Sequence, residues 1–314
     1  MTDRETMRAI VARGYGTPDV LELLESPIPA PGPGQVLIRV HAATVNPVDV
    51  ATRSGALAAA GLMAERAITG IGWDVAGIVT ATGPGVTAFT VGQSVIGLRD
   101  LLDTNLGTYA DYVVLDTHAV TAAPSGVPAT AAATLPLNGS TALQALDLLA
   151  LTPGDTVLIT GAAGAVGGFA VELAARRGLR VAALAAPPDE TFLRAIGAHW
   201  FLDRDTEDLA ATLRSLIPGG VDGALDTAGL GIRALAAVRT RGVYATVAGG
   251  PPLTPLRAIT VHQQWISADP TTLSTLAAAD LTLRVAATLP LDQAATAHEQ
   301  LETTHLRGRL VLIP

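Results

Sequence analysis

Hydrophobic and polar residues change their rhythm near Pro124. Before it, short β-branched runs at 7–12, 35–42, 77–81, 93–98 and 112–115 are each bounded by turn formers. Runs of this length and composition predict strands. Between the first two lies Pro27-Ile28-Pro29-Ala30-Pro31-Gly32-Pro33-Gly34. Neither a helix nor a central strand holds such a segment, because proline fixes φ and lacks the N–H. This part of the chain predicts a compact β-rich domain.

After Pro124 the runs 130–135 and 140–149 are rich in Ala and Leu and predict helices. From Asp155 onward the chain alternates. Strands are expected at 156–160, 181–184, 200–202, 221–226 and 242–248, and helices at 165–177, 190–196 and 206–216. Glu207 and Asp208 suit the dipole at the start of the last helix. Continuous apolar strands alternating with helices predict a parallel sheet covered on both faces. The tail predicts a strand at 281–289, a helix at 291–303 and a strand at 309–313, in the style of the first part. The expected architecture is α/β: a parallel-sheet domain over 126–268, and a discontinuous β-rich domain from 1–125 and 269–314.

The composition narrows the function. The chain has 314 residues, 49% of them hydrophobic and 15% charged, enough for two cores and too apolar for a disordered chain. Its net charge is −8, and all 20 basic residues are Arg. Without a basic cluster it makes a poor nucleic-acid binder. There is no Cys, which excludes disulfides, thiol catalysis and Cys-ligated zinc. The six His residues lack metal-ligand spacing, and no metal is expected. The first residues, Met-Thr-Asp-Arg-Glu-Thr-Met-Arg, lack the apolar run of a signal peptide. Apolar stretches break before the ~20 residues a membrane span needs. A soluble, cytoplasmic protein is expected, with no membrane partner.

Chemistry enters at Gly161-Ala162-Ala163-Gly164-Ala165-Val166-Gly167, between an expected strand and an expected helix. Gly and Ala there let the backbone approach a pyrophosphate, and free amides at the helix start face the anion. By itself the spacing is equally that of a tight strand–helix turn. The βα units that follow point to a dinucleotide. The second strand of this set leads into Ala185-Ala186-Pro187-Pro188, with no carboxylate at its tip to take the ribose hydroxyls of NAD. The nearest basic residue is Arg204, after the third strand. It is either a partner for a 2′-phosphate or a solvated loop side chain.

Ordered motifs extend along nearly the whole chain: Asn46-Pro47-Val48-Asp49 with Arg53-Ser54-Gly55, Gly72-Trp73-Asp74-Val75-Ala76-Gly77, Gly107-Thr108-Tyr109-Ala110-Asp111-Tyr112, Thr141-Ala142, and Gly308-Arg309-Leu310-Val311-Leu312. In this order and spacing the set resembles the medium-chain dehydrogenase/reductase superfamily, in its zinc-free quinone oxidoreductase and enoyl reductase branch. In zinc alcohol dehydrogenases a His-Glu pair stands where Trp73-Asp74 stands here. The resemblance implies a groES-like β domain and a Rossmann domain, with the active site in the cleft between them. It implies Asn46 and Thr141 near a nicotinamide. Gly161, Gly164, Ala165, Val166 and Gly167 would lie at the pyrophosphate, and Ala186, Thr227, Val247 and Ala248 would line the cofactor at strand ends. It also implies a homodimer paired through the Rossmann sheet edge, for which residues 257–267 are the candidate.

The chain departs from the family at the substrate and at the adenosine. Ala51 stands where many relatives carry a Tyr near the substrate, which enlarges the pocket. Ala186 and Pro188 stand where NADP-preferring relatives have Ser and then Arg or Lys, and Arg204 replaces a Tyr that commonly touches the adenosine. The expected reaction is hydride transfer from NADPH, with NADH as the alternative, to a small apolar quinone or enone. The anion left on the substrate needs donors or water. Asn46 is the first candidate donor and Arg53 the second. Asp49 orients one of them, relays a proton, or caps the turn after Pro47. Tyr109 and Tyr112 are expected in the core, and Asp74 is expected to be structural. The apolar loop 56–63 walls a substrate pocket or forms a buried helix. Two other classes stay open: a redox-silent cyclase or isomerase, and a non-catalytic NADPH-binding protein.

Overall fold

The computed structural model describes residues 5–247, 249–250 and 253–314. In chain order the first elements are β1 (Thr6–Ala12), β2 (Leu21–Pro27), β3 (Gln35–Val45), α1 (Pro47–Ser54), α2 (Ala56–Ala59), β4 (Thr69–Gly70), β5 (Asp74–Thr82), β6 (Ser94–Leu98), β7 (Tyr112–Asp116), β8 (Val120–Ala122) and α3 (Ala129–Ala132). The middle of the chain holds α4 (Pro136–Leu149), β9 (Thr156–Thr160), α5 (Ala165–Arg176), β10 (Arg180–Ala185), α6 (Glu190–Ala195), β11 (Ala198–Asp203), α7 (Leu209–Leu216), β12 (Val221–Asp226), α8 (Ile232–Ala237), β13 (Val238–Thr246) and β14 (Thr260–Gln263). The tail adds α9 (Pro270–Ala278), β15 (Val285–Pro290), α10 (Ala294–Thr303) and β16 (Arg309–Ile313).

The chain divides into two compact units, Met1–Leu137 with Ser267–Pro314, and Asn138–Ile266. The first division falls inside the first turn of α4, beyond the boundary at 125 that composition suggested. The unit built from both ends has two sheets. One is β2-β1-β4, and the other is β15-β16-β3-β5-β6-β8, with β7 also paired to β3. The long β3 makes this possible: residues 35–39 pair with β7, and residues 43–45 pair with β16. Ile38, Val40, Val75, Val79, Val95, Leu310 and Leu312 pack into its core.

The middle unit is one parallel sheet in the order β11-β10-β9-β12-β13-β14. All five residues of β9 are buried, as expected for a central strand covered on both faces. From β9 the order runs outward one way through β10 and β11, and the other way through β12, β13 and β14. The β9–β12 boundary is therefore the switch point, where an open α/β sheet leaves a crevice beyond its strand ends.

Several elements differ from the reading of the sequence. β2 was not anticipated, because its Leu and Glu positions lie on a mostly exposed edge. α7 begins at Leu209 rather than 206, because the Asp208 side chain accepts the Ala211 N–H at 2.8 Å and so stands outside the helix as its cap. Two strands start elsewhere than expected: β13 at Val238, earlier than 242, and β15 only at Val285. α2 is a short, largely exposed helix, not a buried one. Leu62 beyond it is exposed, and only Met63 turns inward. Among the described residues, no helix is long and apolar enough to cross a membrane.

Candidate functional site

The middle unit gathers most of the expected cofactor residues at one edge, while Asn46 belongs to the other unit. Gly161 follows the last residue of β9, Ala186 follows β10, Arg204 follows β11, Thr227 follows β12 and Val247 follows β13. All lie beyond the carboxyl ends of neighbouring parallel strands. Thr141 is half-buried on α4. Ala248 lies outside the described residues.

The three glycines of the loop do three different jobs. Gly161 takes φ +58°, the left-handed region, and a Cβ there would sit 2.8 Å from Thr227 Oγ1. Gly167 lies within α5, and a Cβ there would come 2.2 Å from the Gly161 carbonyl oxygen. It lets the helix pack tightly against the turn. Gly164 is the N-cap of α5, with ordinary φ −71° and no side chain to cap the helix. A Cβ there would meet only the Gly161 oxygen, at 3.0 Å. The turn is partly exposed from Ala163 to Val166. The first amides of a helix lack intrahelical acceptors, and the dipole there favours an anion.

Behind this loop lies a buried polar knot. Asp226, the last residue of β12, is fully buried. Its Oδ1 accepts from the Thr160 hydroxyl at 2.5 Å and the Ala228 amide at 3.2 Å. Its Oδ2 accepts from the Gly231 amide and the Tyr244 hydroxyl, both at 2.7 Å. Thr160 Oγ1 in turn accepts from the Thr227 and Ala228 amides at 3.1 and 3.2 Å, and Thr227 Oγ1 donates to the Thr160 carbonyl at 2.6 Å. Burial first, and the neighbouring Asp226 second, push the Tyr244 phenol far above its ordinary range.

A second polar cluster lies in the unit built from both ends, and it holds the three expected catalytic side chains. Asn46 and Asp49 are fully buried and Arg53 nearly so. The Asn46 side-chain amide donates to Asp74 at 2.7 Å and to the Thr44 hydroxyl at 2.9 Å. The donor expected for substrate is thus committed to Asp74. Asp49 accepts from the Asn46 amide at 2.8 Å, the Gly72 amide at 3.1 Å and the Tyr109 hydroxyl at 3.1 Å. Of its three expected roles, capping the turn is the one its bonds perform. Arg53 pairs with Glu302 of α10 at 2.8 Å, and its Nε and Nη1 have no partner. Asp74 also accepts from the Thr44 hydroxyl and the Leu137 amide.

Burial dominates the electrostatics of this cluster. It raises Asp49 to about 7 and Asp74 to about 6, against the hydrogen bonds that favour the charged forms. Burial and the Arg53 charge lower His298 to about 3. Tyr109 stands between these groups, with its hydroxyl on Asp49 and 3.4 Å from His298 Nε2.

Known proteins share this organisation. The alcohol dehydrogenase GroES-like domain family matches residues 32–125, and the zinc-binding dehydrogenase family matches residues 196–312. The quinone oxidoreductase of Coxiella burnetii superposes with a TM-score of 0.86 at 31% identity, covering 99% of this chain and 100% of that one. This chain belongs to the medium-chain dehydrogenase/reductase superfamily. Among its relatives, a chloroplastic quinone-oxidoreductase homolog of Spinacia oleracea is 34% identical over 212 residues, 65% of this chain and 63% of that protein. The match thus spans less than two thirds of that relative's length. A mycobacterial protein whose structure is complexed with NADPH has a TM-score of 0.82 at 29% identity, over 98% of this chain and 100% of that one.

One matching family of the superfamily is described as zinc-binding, and the donor set here does not fit that metal. The chain has no Cys. Among the described residues, no three His, Asp or Glu side chains converge. Asp74, which follows Trp73, is occupied by Thr44, Asn46 and Leu137.

The sequence reading of this superfamily member missed Thr160, Asp226, Tyr244, Glu302 and His298. A signal existed for Asp226, a carboxylate closing the expected strand 221–226 directly after Ala224-Leu225. None existed for His298 or Glu302, whose partners Tyr109 and Arg53 are remote in the chain.

Proposed function

We propose that this chain is an NADPH-dependent reductase that passes a hydride to a quinone or an α,β-unsaturated carbonyl without zinc. The observation that carries the reading is the turn from Gly161 to Gly167 at the sheet's switch point, where a Cβ is missing at each point of close approach. Relatives named quinone oxidoreductase, and the one complexed with NADPH, support it.

Gly161, Gly164, Ala165 and Val166 would hold the pyrophosphate by backbone amides, and Gly167 keeps α5 close enough for them to do so. Ala186, Thr227 and Val247 would line the dinucleotide at their strand ends, with Thr141 toward its nicotinamide. When bound, the nicotinamide supplies the hydride. Arg204 is half-exposed, with its Nε 4.0 Å from Asp205, and so is available to a 2′-phosphate. Asn46, Asp49 and Arg53 are already bonded to protein, so we assign them to holding the end of β3, α1 and the Gly72 turn in place. The charge left on the reduced substrate is then taken up by water. Ala51 and the exposed Leu62 suit a bulky apolar substrate. β14, the last strand of its sheet, with Leu256 and Trp265 exposed beside it, suits pairing with a second copy.

Fluorescence titration with NADPH and NADH, followed by oxidation assays on a panel of enones and quinones, tests the reading. Saturable NADPH binding and turnover of at least one class is the expected result. No binding of either nucleotide overturns it. Binding without oxidation across the panel points instead to redox-silent chemistry on the same scaffold.

A further inference from the structure

Asp226 is not among the residues expected to meet the cofactor, yet its side-chain bonds bear on two that are, Thr227 and Gly161. Its four donors converge on two oxygens in a fully buried site. A carboxylate is acceptor-only and offers about four lone-pair sites, which such a set of donors requires. An amide of the same shape has one acceptor atom and presents its own N–H groups to two of the donors.

The bonds run in a definite direction. Asp226 and Thr160 are register partners in the parallel pair β9–β12. The Thr160 hydroxyl donates its hydrogen bond to Asp226, which leaves its lone pairs for the Thr227 and Ala228 amides. Those two residues lie against Gly161: a Cβ on Gly161 would meet Thr227 Oγ1 at 2.8 Å and Ala228 Cβ at 3.2 Å. The loop after β12 therefore forms the wall beside the first glycine of the phosphate turn. Only Oδ1 of Asp226 serves this wall. Oδ2 serves Gly231 and Tyr244, farther along the chain.

We propose that Asp226 is a positioning residue for the dinucleotide. Acting through Thr160, it fixes Thr227 and Ala228 against Gly161 and so sets the shape of the turn that receives the pyrophosphate. The proposal rests on the dinucleotide reading given above.

Three variants test it: Asp226→Asn, Thr160→Val and Tyr244→Phe. Each is measured for melting temperature, NADPH dissociation constant, and kcat with KM for each substrate. Losing a buried hydrogen bond to a charged group corresponds to about tenfold or more in an equilibrium constant. Asp226→Asn and Thr160→Val are expected to raise the NADPH dissociation constant and KM by that factor. Their kcat at saturating NADPH should stay within about twofold of wild type, because only cofactor binding is disturbed. Thr160→Val keeps the side-chain shape, so it decides the matter if Asp226→Asn does not fold. Tyr244→Phe removes a donor from the other oxygen. It should lower the melting temperature and leave NADPH affinity unchanged. If all three variants lose affinity only in proportion to their loss of stability, or if Thr160→Val binds NADPH as wild type does, the positioning role is overturned. A wild-type protein that binds no NADPH takes down the dinucleotide reading and this proposal with it. Wild-type binding that persists unchanged in the variants takes down this proposal alone.

Discussion

Replacing Gly164 and Gly167 one at a time with alanine separates packing from binding within a single turn. In Gly167→Ala the new methyl would sit 2.2 Å from the Gly161 carbonyl oxygen and 2.8 Å from the Ala162 Cα. Both neighbours are backbone at the end of a buried central strand, so neither can swing away. Relief requires α5 to move off the turn by about an ångström, an overpacking strain of about 1–3 kcal/mol. At roughly 2–4 °C per kcal/mol for a domain of 150–250 residues, the melting temperature should fall by several degrees. Gly164→Ala is different. Its φ is −71°, open to any residue, and the only near atom is the Gly161 oxygen at 3.0 Å. Relief of chain entropy in the unfolded state, about 0.4–1 kcal/mol, offsets that tightness, so stability should hardly change. The methyl nevertheless stands at the start of α5, where a pyrophosphate must reach the amides. NADPH affinity should fall about tenfold, or about 1.4 kcal/mol. Thermal melts without cofactor and fluorescence titrations with NADPH measure the two effects separately. If Gly164→Ala binds NADPH as wild type does, the anion does not sit on this turn. If Gly167→Ala melts with wild type, the packing argument is wrong.

Other outcomes follow from the same geometry. Asp49 is raised to about 7 and Asp74 to about 6 in the folded state, so the folded protein holds protons that the unfolded chain releases near 4. Their stability contribution is full below that value and is lost as pH rises toward 7. Denaturant melts between pH 4 and 8 should show this slope, and Asp49→Asn should flatten it. His298, lowered to about 3, acts in the opposite sense, losing stability as pH falls from its ordinary 6.5, so His298→Phe should steepen the Asp-driven slope. Glu302→Ala leaves the Arg53 guanidinium without its ion-pair partner; because Glu302 is itself exposed to solvent, the loss should be about 1 kcal/mol in urea unfolding, which Arg53→Met in the same chain should partly restore. Arg204→Ala should weaken NADPH and leave NADH binding nearly unchanged, and an equal effect on both would remove its assignment to the 2′-phosphate. Sedimentation should give about twice the 31.9 kDa chain mass, and Val261→Pro on the β14 edge should give the monomer.

The middle unit was largely legible because its chemistry is local. A strand, a glycine turn and a helix occupy neighbouring residues, and the strand ends that gather Gly161, Ala186, Arg204 and Thr227 follow from βα alternation alone. Element ends were harder where a side chain decided them, as Asp208 does for α7. The side chains expected to be catalytic, Asn46, Arg53 and Asp49, were harder still. Their identity was visible, but their roles depend on partners far away in the chain: Asp74 for Asn46, Tyr109 for Asp49 and Glu302 for Arg53. A carboxylate in a linear sequence does not reveal whether it faces a substrate or the backbone amides of another turn. Asp226 makes the same point, since the four groups that explain it come from β9, β13 and the loop that follows it.

The position of β16 bears on how the molecule is made. It lies between β15 and β3, with Leu310 beside Val45 and Leu312 beside Ala43. A ribosome delivers β3 early and its neighbour β16 much later. Until that neighbour arrives, one side of β3 near residues 43–45 has open backbone groups, directly before Asn46 and α1. The parallel sheet of the middle unit has all its strands in hand much earlier and can close by itself. Nascent chains halted before residue 309 should therefore protect the glycine turn from proteolysis while leaving the α1 region cleavable.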